Sequence, residues 1–310
     1  MIWITGTSGL VAKNIINKLN ELNLKYISTS KTTLDLTNFI DTDYFLKCNN
    51  VDIVINIAAK VGGVLDNTID PYNYLLTNLK IQNNVIEGCI KYNIKKCIFL
   101  GSSCIYPKDY KQPLKEEYLL KDKLEPTNEG YALAKICGLK LCEYANKQFN
   151  KTKFICLMPC NLYGPFDHFN DTKSHVLSAL ISKIYDAKIN NKSIVTILGN
   201  GKPKREFLYI DDLIDCILWS LNINITDNFL NVGTGKDISI INLAKKIAKI
   251  INYNGKFIFD TSKPNGMFKK CLDVSKINNL GWKANIDIDN GLLKTINWYK
   301  EYYESNKINI

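Results

Sequence analysis

The chain has 310 residues, of which 46% are hydrophobic and 23% are charged, and its formal net charge is +10. This length and composition are those of a globular protein with its own core, which excludes a disordered chain. The apolar runs stop well short of the ~20 residues of a membrane helix. Because acidic residues are interspersed with the lysines, we favour a solvated surface over nucleic-acid binding, and we expect no membrane partner.

The first residues and the cysteines indicate the compartment. The chain enters a strand-like run at residues 1–5 without a basic leader or an apolar signal core, so we expect a cytoplasmic protein. Ten cysteines are scattered between Cys48 and Cys271 without a CxxC pair or a zinc-like cluster. We therefore expect mostly buried, reduced thiols, no disulfide framework and no metal site.

Strand-like and helix-like segments alternate through the first half of the sequence. The pattern predicts strands at 2–5, 26–29, 51–57, 96–101 and 153–158, and helices from about 10, near 37–47, over 71–92 and over about 128–149. This alternation is typical of a parallel sheet covered by helices on both faces. We expect an α/β fold with a doubly wound Rossmann sheet and a smaller C-terminal α/β lobe.

The rhythm changes after Pro159. The following segments are a polar stretch at 161–172, a helix from about 174, short strands and turns around 199–203, a helix at 211–221, a strand at 229–232 and a helical region from 239. We predict a discontinuous division. An NADP-binding Rossmann domain takes 1–160 plus about 208–235, and a nucleotide-sugar-binding lobe takes about 161–207 plus 236–310.

A glycine-containing turn follows the first strand. Gly6, Gly9 and Ala12 belong to GTSGLVA, where the first helix begins, and the N-terminus of a helix can bind a pyrophosphate. A simple strand-to-helix turn is the alternative, but the position at the start of a βαβ series favours dinucleotide binding. The cofactor-binding residues expected in this turn are Gly6, Thr7, Ser8, Gly9, Leu10, Val11 and Ala12.

The end of the second strand indicates which nicotinamide cofactor is used. NAD enzymes place an acid there for the ribose 2′-hydroxyl, whereas NADP enzymes place basic groups there for the 2′-phosphate. The sequence has Ser28, Thr29, Ser30 and Lys31, with no acid, which favours NADPH. Lys31 and the hydroxyls are candidate phosphate ligands, and an exposed lysine in a polar loop is the alternative.

A serine, a tyrosine and a lysine indicate ketone chemistry. Tyr131 and Lys135 are four residues apart on a predicted helix, so they share one face, and a nearby ammonium favours the phenolate form of tyrosine. Ser102 follows the strand at 96–101 and can donate a hydrogen bond to a keto oxygen beside Tyr131. A YxxxK pair alone occurs often by chance, but the three residues together indicate reduction of a ketone.

Longer motifs resemble the GDP-L-fucose synthase family, within the extended short-chain dehydrogenases/reductases. The matching segments are AAKVGG at 58–63, GSSCIYPK at 101–108, LEPTNEGYALAKICGLKLCE at 124–143, NLYGP at 161–165, SHV at 174–176, REF at 205–207 and NVGTG at 231–235. They span nearly the whole chain. The resemblance implies an NADPH-dependent enzyme that epimerises GDP-4-keto-6-deoxy-D-mannose at C3 and C5 and then reduces C4.

The resemblance also implies roles for individual residues. Cys104 and His175 are the expected acid and base of epimerisation, beside the catalytic Ser102, Tyr131 and Lys135. Further cofactor contacts are expected from Leu100, Gly101, Ser102, Ser103, Lys135, Pro159, Cys160, Asn161, Leu162 and His175. Substrate contacts are expected from Lys183, Leu198, Arg205 and Asn265. A homodimer formed through the helices at 71–92 and 128–149 is also expected.

The sequence departs from the family at several positions. Ser8 and Thr29 stand where many relatives place arginines for the 2′-phosphate, so the expected preference for NADPH is modest. Leu198 replaces a tryptophan, Asn265 an aspartate and Gly130 a proline, which leaves the substrate open. The alternatives are an epimerase or reductase of a related GDP-keto sugar such as a heptose, or a non-catalytic NADPH-binding relative.

Overall fold

The structure is a computed structural model that describes residues 1–149, 151–169, 174–223, 227, 229–262 and 266–307. The strands are β1 (Ile2–Thr5), β2 (Tyr26–Thr29), β3 (Ile53–Asn56), β4 (Lys96–Leu100), β5 (Lys153–Pro159), β6 (Asn161–Tyr163), β7 (Ile194–Leu198), β8 (Lys204–Tyr209), β9 (Phe229–Val232), β10 (Asp237–Ser239), β11 (Lys256–Asp260) and β12 (Lys269–Lys270). The α-helices are α1 (Leu10–Glu21), α2 (Phe39–Cys48), α3 (Val64–Ile69), α4 (Pro71–Lys91), α5 (Glu129–Gln148), α6 (Val176–Ile189), α7 (Ile210–Asn222), α8 (Ile240–Ile251), α9 (Ser275–Asn279) and α10 (Ile288–Lys307).

A parallel sheet of six strands forms the centre of the molecule, in the order β2-β1-β3-β4-β5-β9. All four residues of β1 are buried, as expected for a strand covered on both faces. Helix α1 packs against α7, and α4 packs against α2 and α5. The predicted α/β fold with a Rossmann sheet is confirmed. The carboxyl ends of the parallel strands meet at one edge, where such folds bind their ligands.

A smaller sheet lies after the fifth central strand. Its order is β10-β8-β12, with β6 also paired to β8, while β7 and β11 form a separate parallel pair. These strands come from both sides of the segment that supplies α7 and β9. The exact domain boundaries stay a prediction.

A buried carboxylate joins several of these segments. Glu206 in β8 accepts hydrogen bonds from the backbone N–H groups of Thr234, Gly235 and Leu272, each at 2.7 Å. Burial raises the pKa of the Glu206 carboxyl, and the backbone hydrogen bonds act in the opposite direction. This side chain therefore fixes the NVGTG loop and the end of β12 against β8.

The cysteines are all free thiols, and only Cys48 and Cys137 are exposed.

Among the described residues there is no cluster of His, Cys, Asp or Glu that could hold a metal ion. In the same part of the chain, no helix has the length and hydropathy to cross a membrane.

Candidate functional site

The turn after β1 has the geometry of a dinucleotide cradle. Gly6 has a φ of +86°, a conformation that favours glycine, and its N–H donates to the carbonyl oxygen of Thr29 at 2.8 Å. Gly9 precedes α1, and a Cβ added there would meet no atom within 4 Å. The first N–H groups of a helix lack partners inside the helix. The N-terminus of α1 is therefore sterically open, and its first N–H groups are available to a pyrophosphate.

The end of β2 offers one basic side chain. Thr29 is buried, and its hydroxyl accepts a hydrogen bond from Trp3 Nε1 at 3.0 Å, so this hydroxyl is turned into the core. Ser30 Oγ lies 2.7 Å from Thr32 Oγ1. Lys31 is exposed beside them. Of the groups expected to bind a 2′-phosphate, Lys31 is exposed, whereas the Thr29 hydroxyl is committed to Trp3.

The residues after β4 are held in close contact with β5. The Gly101 N–H donates to the Leu157 carbonyl oxygen at 2.8 Å, and a side chain on Gly101 would collide with the sulfur of Met158. Ser102 then caps a short 3₁₀ helix, Ser103–Ile105, and its Oγ accepts a hydrogen bond from the Cys104 N–H at 3.3 Å. This turn fixes the hydroxyl of Ser102 and the thiol of Cys104 next to each other.

Helix α5 brings the tyrosine and the lysine to this turn. Lys135 is buried, and its Nζ donates to the Leu100 carbonyl oxygen at 2.8 Å and lies 5.8 Å from the centre of the Tyr131 ring. Burial lowers the pKa of Lys135 to about 8. Burial also raises the pKa of Tyr131, and the negative charges that Cys104 and Tyr74 can carry add to this effect.

These pKa shifts differ from the expectation that Lys135 would favour the phenolate form of Tyr131. Desolvation is the largest effect on both groups, since Lys135 is buried and the Tyr131 ring is partly buried. Tyr131 is therefore a neutral phenol at neutral pH, and a neutral phenol can donate a proton. The Cys104 thiol is 7% exposed; burial raises its pKa, while Lys270, Ser102 and Lys135 act to lower it.

The other expected site residues lie in the smaller lobe. His175 is exposed and directly precedes α6, and Lys183 is exposed further along that helix. Leu198 ends β7 and is 58% exposed. Arg205 donates from Nη1 to the carbonyl oxygens of Met267 at 2.6 Å and Lys204 at 2.8 Å. The predicted contact Asn265 lies outside the described residues.

The structure thus joins Ser102, Cys104, Tyr131 and Lys135 in one cluster. Within the described ranges, no hydrogen bond links His175 to that cluster. The segment from Pro159 to Leu162 contacts both the central sheet and the smaller sheet. The Cys160 N–H donates to the carbonyl oxygen of Val232 in β9 at 2.9 Å, and Asn161 Nδ2 donates to the carbonyl oxygen of Glu206 in β8 at 2.8 Å.

One charged neighbour of the cluster was missed from the sequence. Burial lowers the pKa of Lys270 on β12, the charge that Cys104 can carry raises it, and Arg205 lowers it further. A signal for it exists, because consecutive residues of a strand face opposite sides. Once the segment is recognised as a strand, the side chains of Lys269 and Lys270 must face opposite sides of the sheet. One of them therefore faces the protein interior.

A nucleotide cradle at the head of a parallel sheet, with a serine, a tyrosine and a lysine at its carboxyl edge, defines a nicotinamide-dependent oxidoreductase of the short-chain type. Residues 2–233 match the NAD dependent epimerase/dehydratase family, and the chain belongs to that family.

Curated relatives and solved structures are similar over nearly their whole length. The GDP-L-fucose synthase of Sinorhizobium fredii is 42% identical over 294 residues, 95% of this chain and 93% of the relative. The GDP-L-colitose synthase of Yersinia pseudotuberculosis is 39% identical over 300 residues, 96% of this chain and 97% of the relative. A GDP-6-OMe-4-keto-L-xylo-heptose reductase from C. jejuni superposes with a TM-score of 0.90 at 31% identity and 97% coverage of both chains. A GDP-L-fucose synthetase from Naegleria fowleri bound to NADP superposes with a TM-score of 0.89 at 28% identity, covering 98% of this chain and 93% of that one.

Proposed function

We propose that this protein converts GDP-4-keto-6-deoxy-D-mannose to GDP-L-fucose by epimerisation at C3 and C5 followed by NADPH-dependent reduction at C4. The observation that carries the proposal is the buried Cys104 thiol beside Ser102 and Tyr131. Reduction of a ketone needs no thiol, whereas inversion at a carbon next to the ketone needs a group that moves protons. The similarity to GDP-L-fucose synthases gives the substrate.

The residues that fit a nicotinamide dinucleotide are the cradle after β1 for the pyrophosphate and Lys31 for the 2′-phosphate. When bound, the nicotinamide supplies the hydride for C4. Lys135 and the segment from Pro159 to Leu162 are the residues that would line the nicotinamide side of the site. NADP in the Naegleria fowleri structure and the absence of an acid after β2 both support NADPH as the preferred cofactor.

The reduction step uses the proton of Tyr131. Ser102 Oγ accepts from the Cys104 N–H, so its own hydrogen is available to the keto oxygen at C4. Tyr131 donates its phenolic proton to the same oxygen as negative charge develops there, and such general acid catalysis typically contributes ~10²–10⁴-fold. The Lys135 ammonium, held by the Leu100 carbonyl oxygen, then stabilises the phenolate that remains.

The epimerisation step uses Cys104 and His175. The C4 ketone acidifies the protons on C3 and C5, so the thiolate of Cys104 can take one of them and leave an enolate. His175 returns a proton to the opposite face of the carbon. Arg205, together with Lys183, provides positive charge for the GDP pyrophosphate.

Two related activities compete with this proposal, because one relative is a reductase of a GDP-linked 4-keto-heptose and another is a GDP-L-colitose synthase. The product decides between them. We expect incubation with GDP-4-keto-6-deoxy-D-mannose and NADPH to give GDP-L-fucose by NMR. A product reduced at C4 without inversion would assign a simple reductase. If NADPH is not consumed, the same assay with a GDP-linked 4-keto-heptose separates a heptose enzyme from a non-catalytic relative.

The epimerisation has its own experiment. In D₂O without cofactor, the wild type should introduce deuterium at C3 and C5, because enolisation requires no hydride. Cys104→Ser should suppress this exchange by roughly 10²–10⁴-fold, since an alcohol is a far weaker base than a thiolate. Cys137→Ser, the same change at an exposed thiol of α5, is the matched control. If Cys104→Ser shows normal exchange and normal GDP-L-fucose formation, the Cys104 thiol serves only in core packing.

The proposed assembly is a homodimer through α4 and α5. Along one face, α5 exposes Leu133, Cys137, Leu141 and Tyr144, at the three- and four-residue spacing of a helical stripe. Exposed apolar stripes of this kind mark protein interfaces. Light scattering should give about twice the 35.3 kDa mass of the chain.

A further inference from the structure

The turn that carries Cys104 is only weakly held by its own hydrogen bonds. This turn spans residues 102–106 and is called the Cys104 turn below. The Cys104 nitrogen lies 3.3 Å from Ser102 Oγ. The Tyr106 nitrogen lies 3.5 Å from the Ser103 carbonyl oxygen. Both distances exceed the ~2.7–3.2 Å that is usual for such bonds. The internal bonds therefore do not fix the thiol by themselves.

The beginning of the Cys104 turn has an anchor of its own. The Gly101 N–H donates to the carbonyl oxygen of Leu157 in β5 at 2.8 Å, directly before Ser102. This bond belongs to the edge of the central sheet. The Ser102 hydroxyl therefore keeps its place independently of the other end of the turn.

A buried asparagine lies beyond the other end of the turn. Asn231 in β9 is fully buried and pairs with Met158 of β5. Its N–H donates to Glu116 Oε1 at 3.0 Å. Its Nδ2 donates to the carbonyl oxygens of Leu114 at 2.9 Å and Asp273 at 3.1 Å. Asn231 is thus fixed by several separate segments, and its Oδ1 remains as an acceptor.

Tyr106 joins the Cys104 turn to this asparagine. The Tyr106 side chain is buried, and its hydroxyl lies 2.5 Å from Asn231 Oδ1. Because Nδ2 of the asparagine donates elsewhere, the tyrosine is the donor of this bond. Ile105 also packs in the core, but apolar packing is not directional. The short bond from Tyr106 is therefore a directional anchor at the Cys104 end of the turn.

We propose that Tyr106 is a positioning residue of the epimerisation step, which holds Cys104 in place for proton transfer through its hydrogen bond to Asn231. This inference rests on the proposed function. Loss of the bond should release the Cys104 half of the turn, while Ser102 and the two catalytic residues of α5 stay in place. Epimerisation and reduction should therefore respond differently to the same substitution.

Tyr106→Phe removes one oxygen and keeps the ring. In D₂O without cofactor, we expect this variant to exchange deuterium at C3 and C5 roughly 10- to 100-fold more slowly than the wild type, since a misplacement of about 1 Å can cost ~10²-fold. Reduction is measured separately, on keto sugar that the wild type has already epimerised without NADPH. On that material, NADPH oxidation by the variant should equal that of the wild type.

A second measurement needs no sugar. Alkylation of Cys104 by iodoacetamide is followed in the full-length protein by mass spectrometry, with the exposed Cys137 as internal reference. Cys104 is 7% exposed, so release of the turn should make its sulfur more accessible. We expect alkylation of Cys104 in Tyr106→Phe to be roughly 2- to 10-fold faster, the population change that follows from the loss of one hydrogen bond.

Two further variants test the path of the effect. Tyr253→Phe is the matched control, because it removes a hydroxyl that donates to the Lys192 carbonyl oxygen at 3.1 Å beside β7, and it should change neither measurement. Asn231→Ser removes the acceptor instead of the donor. In the Asn231→Ser protein, adding Tyr106→Phe should have little further effect, because both changes break the same bond. If Asn231→Ser does not fold, Tyr106→Phe and its control still decide.

The proposal is overturned if Tyr106→Phe keeps wild-type exchange, or if exchange and reduction fall together as a general loss of structure would cause. Additive effects of the two substitutions would also overturn it, since Tyr106 would then act by another route. Absence of exchange in the wild type would instead reject the proposed substrate. The alkylation rates would still decide whether Tyr106 holds the Cys104 thiol.

Discussion

The pH dependence of reduction should follow the ionisation of Lys135. Burial lowers its pKa from 10.5 to about 8. A group with that pKa is about 90% protonated at pH 7 and about 10% protonated at pH 9, whereas an ordinary lysine keeps more than about 90% of its charge at pH 9. Because the ammonium stabilises the phenolate left on Tyr131, we expect kcat/KM for NADPH oxidation to fall about tenfold between pH 7 and pH 9.

The direction of this change follows from the shift. A lowered pKa means that the charge is lost as the pH rises through about 8, so activity falls on the alkaline side. Tyr131 does not contribute there, because burial keeps its phenol protonated well beyond that range. The assay is stopped-flow NADPH absorbance with GDP-4-keto-6-deoxy-D-mannose. NADPH deuterated at C4 is used in parallel, so that an isotope effect verifies that hydride transfer is measured.

A charge-retaining variant tests the assignment. Lys135→Arg carries a guanidinium that stays protonated, so whatever activity it keeps should not decline up to pH 10. Lys140→Arg, on the same helix and paired to Glu143 at 2.9 Å, should show the wild-type decline. A wild-type profile that is flat from pH 7 to pH 10, or an unchanged decline in Lys135→Arg, would refute the reasoning.

Two further substitutions test the proposed roles of the cofactor and proton-donor residues. Tyr131→Phe should lower NADPH oxidation by roughly 10²–10⁴-fold while deuterium exchange at C3 and C5 continues, since the ring still packs and only the proton donor is lost; full NADPH oxidation would remove Tyr131 from this role. Lys31→Glu should reduce the ratio of kcat/KM for NADPH to that for NADH by at least about tenfold, since an acid after β2 repels a 2′-phosphate. Lys25→Glu, before β2, should leave that ratio unchanged, and equal ratios in both variants would contradict the assignment.

The fold could be predicted because the central strands and long helices carry their own periodic signals. The predicted helix at 71–92 is observed as Pro71–Lys91, and the one at 128–149 as Glu129–Gln148. Helix α3, Val64–Ile69, was missed because six residues give fewer than two turns of apolar periodicity.

The candidate site could likewise be predicted only in part. Tyr131 and Lys135 could be identified from a four-residue spacing and Ser102 from the end of a strand. The sequence could not give their pKa shifts, because those depend on how much water the folded chain removes from both groups. Lys270 was missed because Arg205, its partner in the pairing of β12 with β8, is far from it in the sequence.

The order of the central sheet also has a consequence for biosynthesis. Strand β5 pairs with β9, and about seventy residues separate the end of one strand from the start of the other. At ~5–20 residues per second, a ribosome takes roughly 4 to 14 seconds to synthesise that interval. During this time the apolar edge of β5 lacks its partner, and unpaired edges of this kind recruit other chains. A nascent or truncated chain that ends before Val232 should therefore depend on chaperones in a way that the finished protein does not.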